Sequence, residues 1–169
     1  MGSTENPFPL TDPDRRAIWD MLVLEDSREF LRGNFARCRA RFFEPPFYAI
    51  DAGGSSQPED WKLSFPSLDE YANRWIQYAA ATIADINSVE EAERALLELT
   101  TLTEIDISGP TALARKKFSG FIPLKGGRRS HLHWQTLYFL KRLEGEWRIT
   151  GFLGYLPYQG TFRLGTNDS

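Results

Sequence analysis

The chain has 169 residues, of which 41% are hydrophobic and 25% charged, the balance of a single globular domain. Its net charge of -3, from 20 basic and 23 acidic residues, argues against a nucleic-acid partner, which requires a basic surface. A lone cysteine excludes an internal disulfide, and neither a signal peptide nor a membrane-spanning apolar run is visible, so we expect a cytoplasmic protein with no membrane partner.

The chain is predicted to begin with a flexible tail over residues 1–11, followed by helices. Asp12 and Pro13 predict the first helix start, because a carboxylate caps free backbone amides and proline fits the first turn. Ser27 predicts a second start, and that helix is expected to end near Gly33.

A short strand and two further helices are predicted next. Residues 47–52 are expected to form the strand, which a glycine-rich loop ends. A serine followed three residues later by glutamate is a capping box, and this pattern opens a long helix after Ser67 and a short one over residues 89–96 after Ser88. Apolar residues behind Ser67 recur at helical spacing, which makes this helix amphipathic.

The residue pattern in the second half of the chain predicts strands joined by short turns. Helices followed by such a meander predict an α+β fold, in which helices pack in the concave face of a strongly curved antiparallel β-sheet. We expect one domain over residues 12–157 and a C-terminal tail over residues 158–169. The four strands are predicted over residues 99–107, 113–124, 130–143 and 147–156.

The strand predicted over residues 130–143 is apolar on both faces. Leu137 and Phe139 alternate with Tyr138 and Leu140, so neither face is purely polar. A strand of this kind is covered on both sides, and the few helices can cover only one. We therefore expect a homodimer that forms through the other face of the sheet.

Three segments carry a resemblance to a known family. Residues 145–149 (Gly-Glu-Trp-Arg-Ile) begin the last predicted strand, residues 47–51 precede the glycine-rich loop, and residues 68–71 follow the Ser67 cap. Together they resemble the nuclear transport factor 2-like superfamily and, within it, the SnoaL-like proteins. The resemblance implies a cone-shaped fold around an apolar pocket, a scaffold shared by ketosteroid isomerases, polyketide cyclases, dehydratases, epoxide hydrolases and non-catalytic binding or association domains.

Asp51 is the first candidate catalytic residue. It ends the predicted strand before residues Gly53 and Gly54, a context similar to that of the general base of ketosteroid isomerases. The resemblance implies that Asp51 could accept a proton from a carbonyl substrate. Alternatively, its carboxylate caps the following turn through nearby backbone amides.

His131 and His133 are the other candidate catalytic residues. Their spacing on a strand points both side chains the same way, so they could act as acid and base, or bind a metal with a third carboxylate ligand. We expect no metal, because no third ligand is evident. The alternative is that both histidines are exposed or lie in the dimer interface. On neighbouring strands, Lys116 and Glu104 could pair across the sheet.

The predicted pocket would bind a small apolar or aromatic molecule. No phosphate-binding or dinucleotide-binding motif occurs, so we expect no cofactor. The sequence thus favours a small-molecule-binding protein, which could be a cofactor-independent isomerase, cyclase or dehydratase. The alternative is a non-catalytic ligand-binding or homodimeric association domain. The candidate ligand-binding residues are Trp61, Tyr71, Trp75, Trp134 and Gln135.

Overall fold

A computed structural model describes residues 4–158 of the chain. The helical elements are α1 (Pro13–Trp19), a π-helical segment (Asp20–Glu25), α2 (Asp26–Arg32), α3 (Phe35–Arg39), α4 (Leu68–Asp85) and α5 (Val89–Leu99). The strands are β1 (Tyr48–Asp51), β2 (Lys62–Phe65), β3 (Thr100–Ser108), β4 (Thr111–Pro123), β5 (Arg129–Leu143) and β6 (Glu146–Leu156).

The two predicted tails fall partly outside the described residues, which exclude residues 1–3 and 159–169. In the described part of the N-terminal tail, the Asn6 amide donates to the Asp20 carboxylate at 2.9 Å, and Phe8 packs against the main core. These contacts hold this part of the tail against the first helix.

The first helical stretch is longer than predicted. The Asp12 side chain accepts a hydrogen bond from the Arg15 amide at 3.1 Å, which confirms the predicted cap. From there α1, the π-helical segment and α2 follow one another without a break until Gly33, whose φ of 67° ends the helix. Ser27 therefore starts no new helix; it is buried inside α2.

Both predicted capping boxes are confirmed. The Ser67 and Ser88 hydroxyls accept hydrogen bonds from the backbone amides of Glu70 and Glu91, and these contacts open α4 and α5. On α4, the buried residues recur every three to four positions and pack into the main core with residues of the sheet. These residues are Leu68, Ala72, Trp75 and Ala79.

The six strands form one sheet in the order β2-β1-β6-β5-β4-β3. The predicted antiparallel meander is confirmed for β3 to β6, but β1 pairs with β6 in parallel, and β2, which was not predicted, pairs with β1. The parallel pair is possible because two α-helices and four strands separate β1 from β6 along the chain. A side chain on Gly151 would collide with the Tyr48 carbonyl oxygen, so glycine allows β1 to approach β6 there.

Alternation along the strands gives the sheet an inner face and an outer face. The inner face, which includes Ala114, Tyr138 and Phe152, packs with the helices in the main core. The outer face carries a smaller apolar cluster centred on Leu153 and Leu156. Helices thus cover one face of the sheet, as the predicted α+β fold requires.

Candidate active site in the inner cavity

A cavity of about 500 Å³ lies between the inner face of the sheet and helices α2 and α4; we call it the inner cavity. Its walls are mostly aromatic. Exposed residues Tyr78 and His131 border it at one end, so its mouth lies between the second half of α4 and the start of β5. The aromatic wall residues include Phe30, Trp75, Phe118, Trp134 and Phe152.

An ion pair lies at the inner end of this cavity. The Lys116 ammonium is 2.7 Å from the Asp26 carboxylate and 4.9 Å from the centre of the Phe118 ring. The Lys116 side chain is only 1% exposed, whereas the Asp26 side chain is 36% exposed and lines the cavity. Lys116 therefore orients a carboxylate that a ligand can reach, while its own ammonium is fully enclosed.

The backbone that positions Asp26 is unusual. The π-helical segment ends at Glu25, directly before Asp26, and such segments add a residue to the helical turn. The added residue changes the direction in which the following side chains leave the helix axis. Local π-helical turns occur often at functional sites, which is consistent with a role for Asp26.

Two phenol groups accompany Asp26 at the inner end. Tyr71 comes from α4 and Tyr138 from β5, and both line the cavity. Burial raises the pKa of each phenol well above its usual value of 10, and the negative charge of Asp26 acts in the same direction. Both phenols are protonated at neutral pH and can donate hydrogen bonds into the cavity that the Asp26 carboxylate also lines.

Tyr155 lies nearer the mouth of the cavity, at an irregularity in the pairing of β5 with β6. Its φ of 55° falls in the left-handed region, which is costly for a residue other than glycine. Burial, followed by the influence of Tyr78 and Asp51, raises the pKa of Tyr155 to about 12.

The three predicted catalytic residues are not brought together around the inner cavity. Asp51 is not among the lining residues; its carboxylate accepts a hydrogen bond from the Gly53 amide at 2.7 Å, which is the turn-capping alternative. The His131 ring stacks on Phe121 and on His133, with ring centres 4.7 and 5.3 Å apart. The catalytic role of the three residues stays a prediction, and the three side chains do not line one common cavity.

The second histidine belongs to the outer face. His133 is exposed, lies 3.2 Å from the Ser119 hydroxyl through Nδ1, and stacks on Tyr158 with ring centres 4.5 Å apart. Its exposure matches the alternative raised from the sequence. In residues 4–158, no group of three or more histidine, cysteine, aspartate or glutamate side chains is arranged to bind a metal.

The five predicted ligand-binding residues divide between the two faces. Tyr71, Trp75 and Trp134 line the inner cavity. Trp61 packs against the outer apolar cluster, and its indole donates to the Ser55 carbonyl at 2.9 Å. Gln135 is buried away from the cavity, where its amide donates to the Pro157 carbonyl at 2.6 Å.

Sequence reasoning did not select Asp26, although one signal pointed to it. Lys116 lies on β4 on the same side as the apolar Ala114 and Phe118, so its charge requires an acidic partner if that side is buried. The considered partner, Glu104, instead binds Lys117 at 2.7 Å on the other face. Alternate positions of β4 face opposite sides of the sheet, so Lys116 meets Asp26 on one side and Lys117 meets Glu104 on the other.

The structure is similar to solved structures at low sequence identity. A nuclear transport factor 2-like protein with a cystatin-like fold from Novosphingobium aromaticivorans gives a TM-score of 0.58 at 15% identity, over 93% of this chain and 95% of that one. A protein of the same organism, provisionally named a scytalone dehydratase, gives 0.55 at 15% identity, over 85% and 83%. A protein of Xanthomonas campestris, provisionally named a calcium/calmodulin-dependent protein kinase II association domain, gives 0.51 at 11% identity, over 90% and 94%.

No protein-family model and no curated protein sequence matches this chain. The similarity is therefore one of structure: the chain has the nuclear transport factor 2-like fold, which confirms the predicted fold. Similar structures bear the names of an enzyme and of an association domain, so the fold alone does not determine activity. Among residues 4–158, no helix is long and apolar enough to cross a bilayer.

Proposed function

We propose that this nuclear transport factor 2-like protein binds an uncharged aromatic small molecule in the inner cavity and that Asp26 exchanges a proton with it. One observation carries the proposal: an aromatic cavity ends at a carboxylate that an enclosed lysine holds in place. A volume of about 500 Å³ is within the range of small-molecule sites. The ring-lined walls favour a flat, apolar ligand.

The polar groups at the inner end suggest which part of the ligand lies there. Asp26 is an acceptor, and Tyr71 and Tyr138 are donors. A hydroxyl group, or a carbonyl with an acidic neighbouring C–H, would match this set. Asp26 would take the proton while a phenol donates a hydrogen bond to the oxygen on which charge develops.

Such chemistry belongs to isomerases, cyclases and dehydratases that need no cofactor. Asp26 then has the role that the sequence suggested for Asp51, and the phenols have the role suggested for the histidines. The similar structure named as a scytalone dehydratase is in keeping with this reaction class but supports only the fold.

A fluorescent phenol, 2-naphthol, tests the proposal. Its excited state is a much stronger acid than its ground state, and the naphtholate anion emits at longer wavelength than the neutral molecule. With excitation to the red of tryptophan absorption, we expect saturable binding and naphtholate emission from the complex. Asp26→Asn should keep the binding and restore the emission of neutral 2-naphthol, because an amide is a far weaker base.

A matched control is the other carboxylate among the described lining residues. Asp85 lies near the mouth and pairs with Arg128. Asp85→Asn should leave the naphtholate emission unchanged. Absence of saturable binding would contradict the ligand class, and naphtholate emission that survives Asp26→Asn would contradict the role of Asp26.

The outer face supports a second candidate, the homodimeric association domain. Half-buried Leu137, Phe139 and Ile50 pack against Leu153 there, on the side of the sheet opposite the main core. Leu113 adds an exposed apolar side chain, 44% accessible. A second copy of the chain would cover this surface. Sedimentation equilibrium tests it, since a monomer at micromolar concentration would contradict a stable dimer.

A further inference from the structure

A second chamber, of about 420 Å³, adjoins the inner cavity. Asp26, Tyr71 and Tyr138 line both spaces and form their common wall. The chamber is bounded by the helical stretch before Asp26 and by α3. Its lining is more polar than that of the inner cavity and includes Met21, Glu25, Glu29, Arg37, Cys38 and Arg41.

One carboxylate in this chamber has a buried oxygen atom without a hydrogen-bond partner among the described residues. Glu25 is satisfied by Arg41, at 2.8 Å. The Oε1 atom of Glu29 forms ion pairs with Arg32 at 3.5 Å and with Arg37 at 3.8 Å, whereas its Oε2 atom is buried and accepts no hydrogen bond from any residue in the described range. A buried carboxylate oxygen without a donor is costly, and water in a polar chamber is the usual remedy.

The chamber is large enough for several water molecules, since each occupies about 30 Å³ in the liquid. It also has an outlet, because the Arg37 side chain on its wall is 73% exposed. Asp26 would then meet a ligand on one side and water on the other.

We infer that the second chamber is hydrated and gives Asp26 a proton-exchange route to solvent behind the bound ligand, with Glu29 as the next carboxylate on that route. The use of the route rests on the proposed function of Asp26. The ligand O–H or C–H proton passes to Asp26, which then protonates a chamber water. That water gives one of its protons to Glu29, which releases it to solvent past Arg37. Only bonds to hydrogen break and form, and no electron transfer is involved.

This arrangement separates the path of the proton from the path of the ligand. A flat molecule in the inner cavity would close the mouth at Tyr78 and leave no room for water on its own side of Asp26. The proton could still leave. Reactions in which the abstracted proton does not return to the same molecule would benefit most.

Hydroxyl-radical footprinting tests the hydration directly. Met21 and Cys38, among the most easily oxidised side chains, both line the chamber and are only 5% and 9% exposed. Trp19 and Trp147 are as deeply buried but line neither space, so they serve as internal controls. Each oxidation rate is divided by the rate of the same residue in the urea-unfolded chain.

With 2-naphthol at saturation, we expect Met21 and Cys38 to be oxidised about tenfold faster, on this scale, than the two control tryptophans, because radicals form in water that touches them. Trp75 and Trp134, in the inner cavity, should become protected by the ligand. Protection of Met21 and Cys38 equal to that of Trp19 would mean a dry chamber and would overturn the inference. This test also works without ligand, so it stands even if 2-naphthol fails to bind.

Glu29→Gln tests the route itself. Without the Glu29 carboxylate as the next acceptor, the proton stays longer on Asp26 and can return to the naphtholate. We therefore expect Glu29→Gln to lower the fraction of naphtholate emission about twofold and to leave the affinity for 2-naphthol unchanged. Glu25→Gln is the matched control, because Glu25 lines the same chamber but is bound to Arg41. An equal decrease in both variants, or in neither, would remove Glu29 from the route while leaving the role of Asp26 intact.

Discussion

The two faces of β5 differ in what they can do, although both carry polar and aromatic residues. Trp134 and Tyr138 face the inner cavity, whereas His133 and Gln135, one residue away, have their contacts on the outer face. The inner face holds an ion pair whose ammonium group is enclosed; the outer face holds pairs that water reaches. Position along a strand, rather than residue type, therefore determines which side chains can contact a ligand in the inner cavity.

The largest expected difference between the faces concerns their ion pairs. Asp26→Leu leaves the enclosed Lys116 ammonium without its carboxylate, and we expect a loss of about 3 kcal/mol in the free energy of unfolding. Glu104→Leu removes the outer-face partner of Lys117 and should cost less than about 1 kcal/mol, because both groups stay hydrated. Urea unfolding measures both values.

A double variant sharpens this result. Asp26→Leu combined with Lys116→Met buries no charge, so it should recover most of the stability lost in the single variant. Equal losses for Asp26→Leu and Glu104→Leu would contradict the distinction between the two faces.

The next effect is on alkaline stability. The pKa of Tyr155 is raised to about 12, so between pH 10 and 12 an unfolded chain loses a phenol proton that the folded chain keeps. The stabilising contribution is full below pH 10 and is lost as the pH rises to 12, by up to about 2 kcal/mol. Tyr155→Phe should flatten this decline in urea unfolding. The exposed Tyr48 is the control, and an equal effect of Tyr48→Phe would refute burial as the cause.

Substitutions on the two faces of β5 should also differ in their effect on ligand affinity, by less than in their effect on stability. Trp134→Ala removes an aromatic wall of the inner cavity and should weaken 2-naphthol binding about tenfold, or about 1.4 kcal/mol. His133→Ala, the neighbouring residue on the outer face, should leave the dissociation constant unchanged. A fluorescence titration measures both, and a larger effect at His133 would move the site to the outer face.

The smallest effect concerns association through the outer face. If the chain forms the predicted homodimer, a charge placed on the exposed Leu113 should raise the dimer dissociation constant about fivefold. Leu113→Glu is compared with the wild-type protein by sedimentation equilibrium. Leu10→Glu is the control, since Leu10 is also exposed but lies outside the sheet. A dimer that is unaffected by Leu113→Glu would have to use another surface.

Much of the fold could be predicted because its signals are local. Ser67 and Ser88 start helices through hydrogen bonds to residues three positions on, and turns join the strands of the meander. The parallel pairing of β1 with β6 has no such signal, because it depends on contacts between distant segments. β2 was missed for a similar reason: of its four residues, Phe65 alone is buried.

The site was harder to predict, because it depends on which face each strand turns inward. The sequence places His131 and Trp134 on opposite faces of β5 but does not say which face meets the helices. Asp26 depends in addition on the π-helical segment, which side-chain periodicity does not reveal. The aromatic candidates Tyr71 and Trp75 were found because α4 has a single buried stripe.

The parallel contact between β1 and β6 also bears on the order of folding. The strands from β3 to β6 pair with sequence neighbours, whereas β1 must close a loop that contains most of the chain. The inner cavity needs both Asp26 from the first third of the chain and Tyr155 from its last strand, so partly folded chains have no binding site. A ligand would therefore bind the native state alone and raise the melting temperature with the logarithm of its concentration. Thermal-shift screening of uncharged aromatic compounds can find such ligands before any reaction is known.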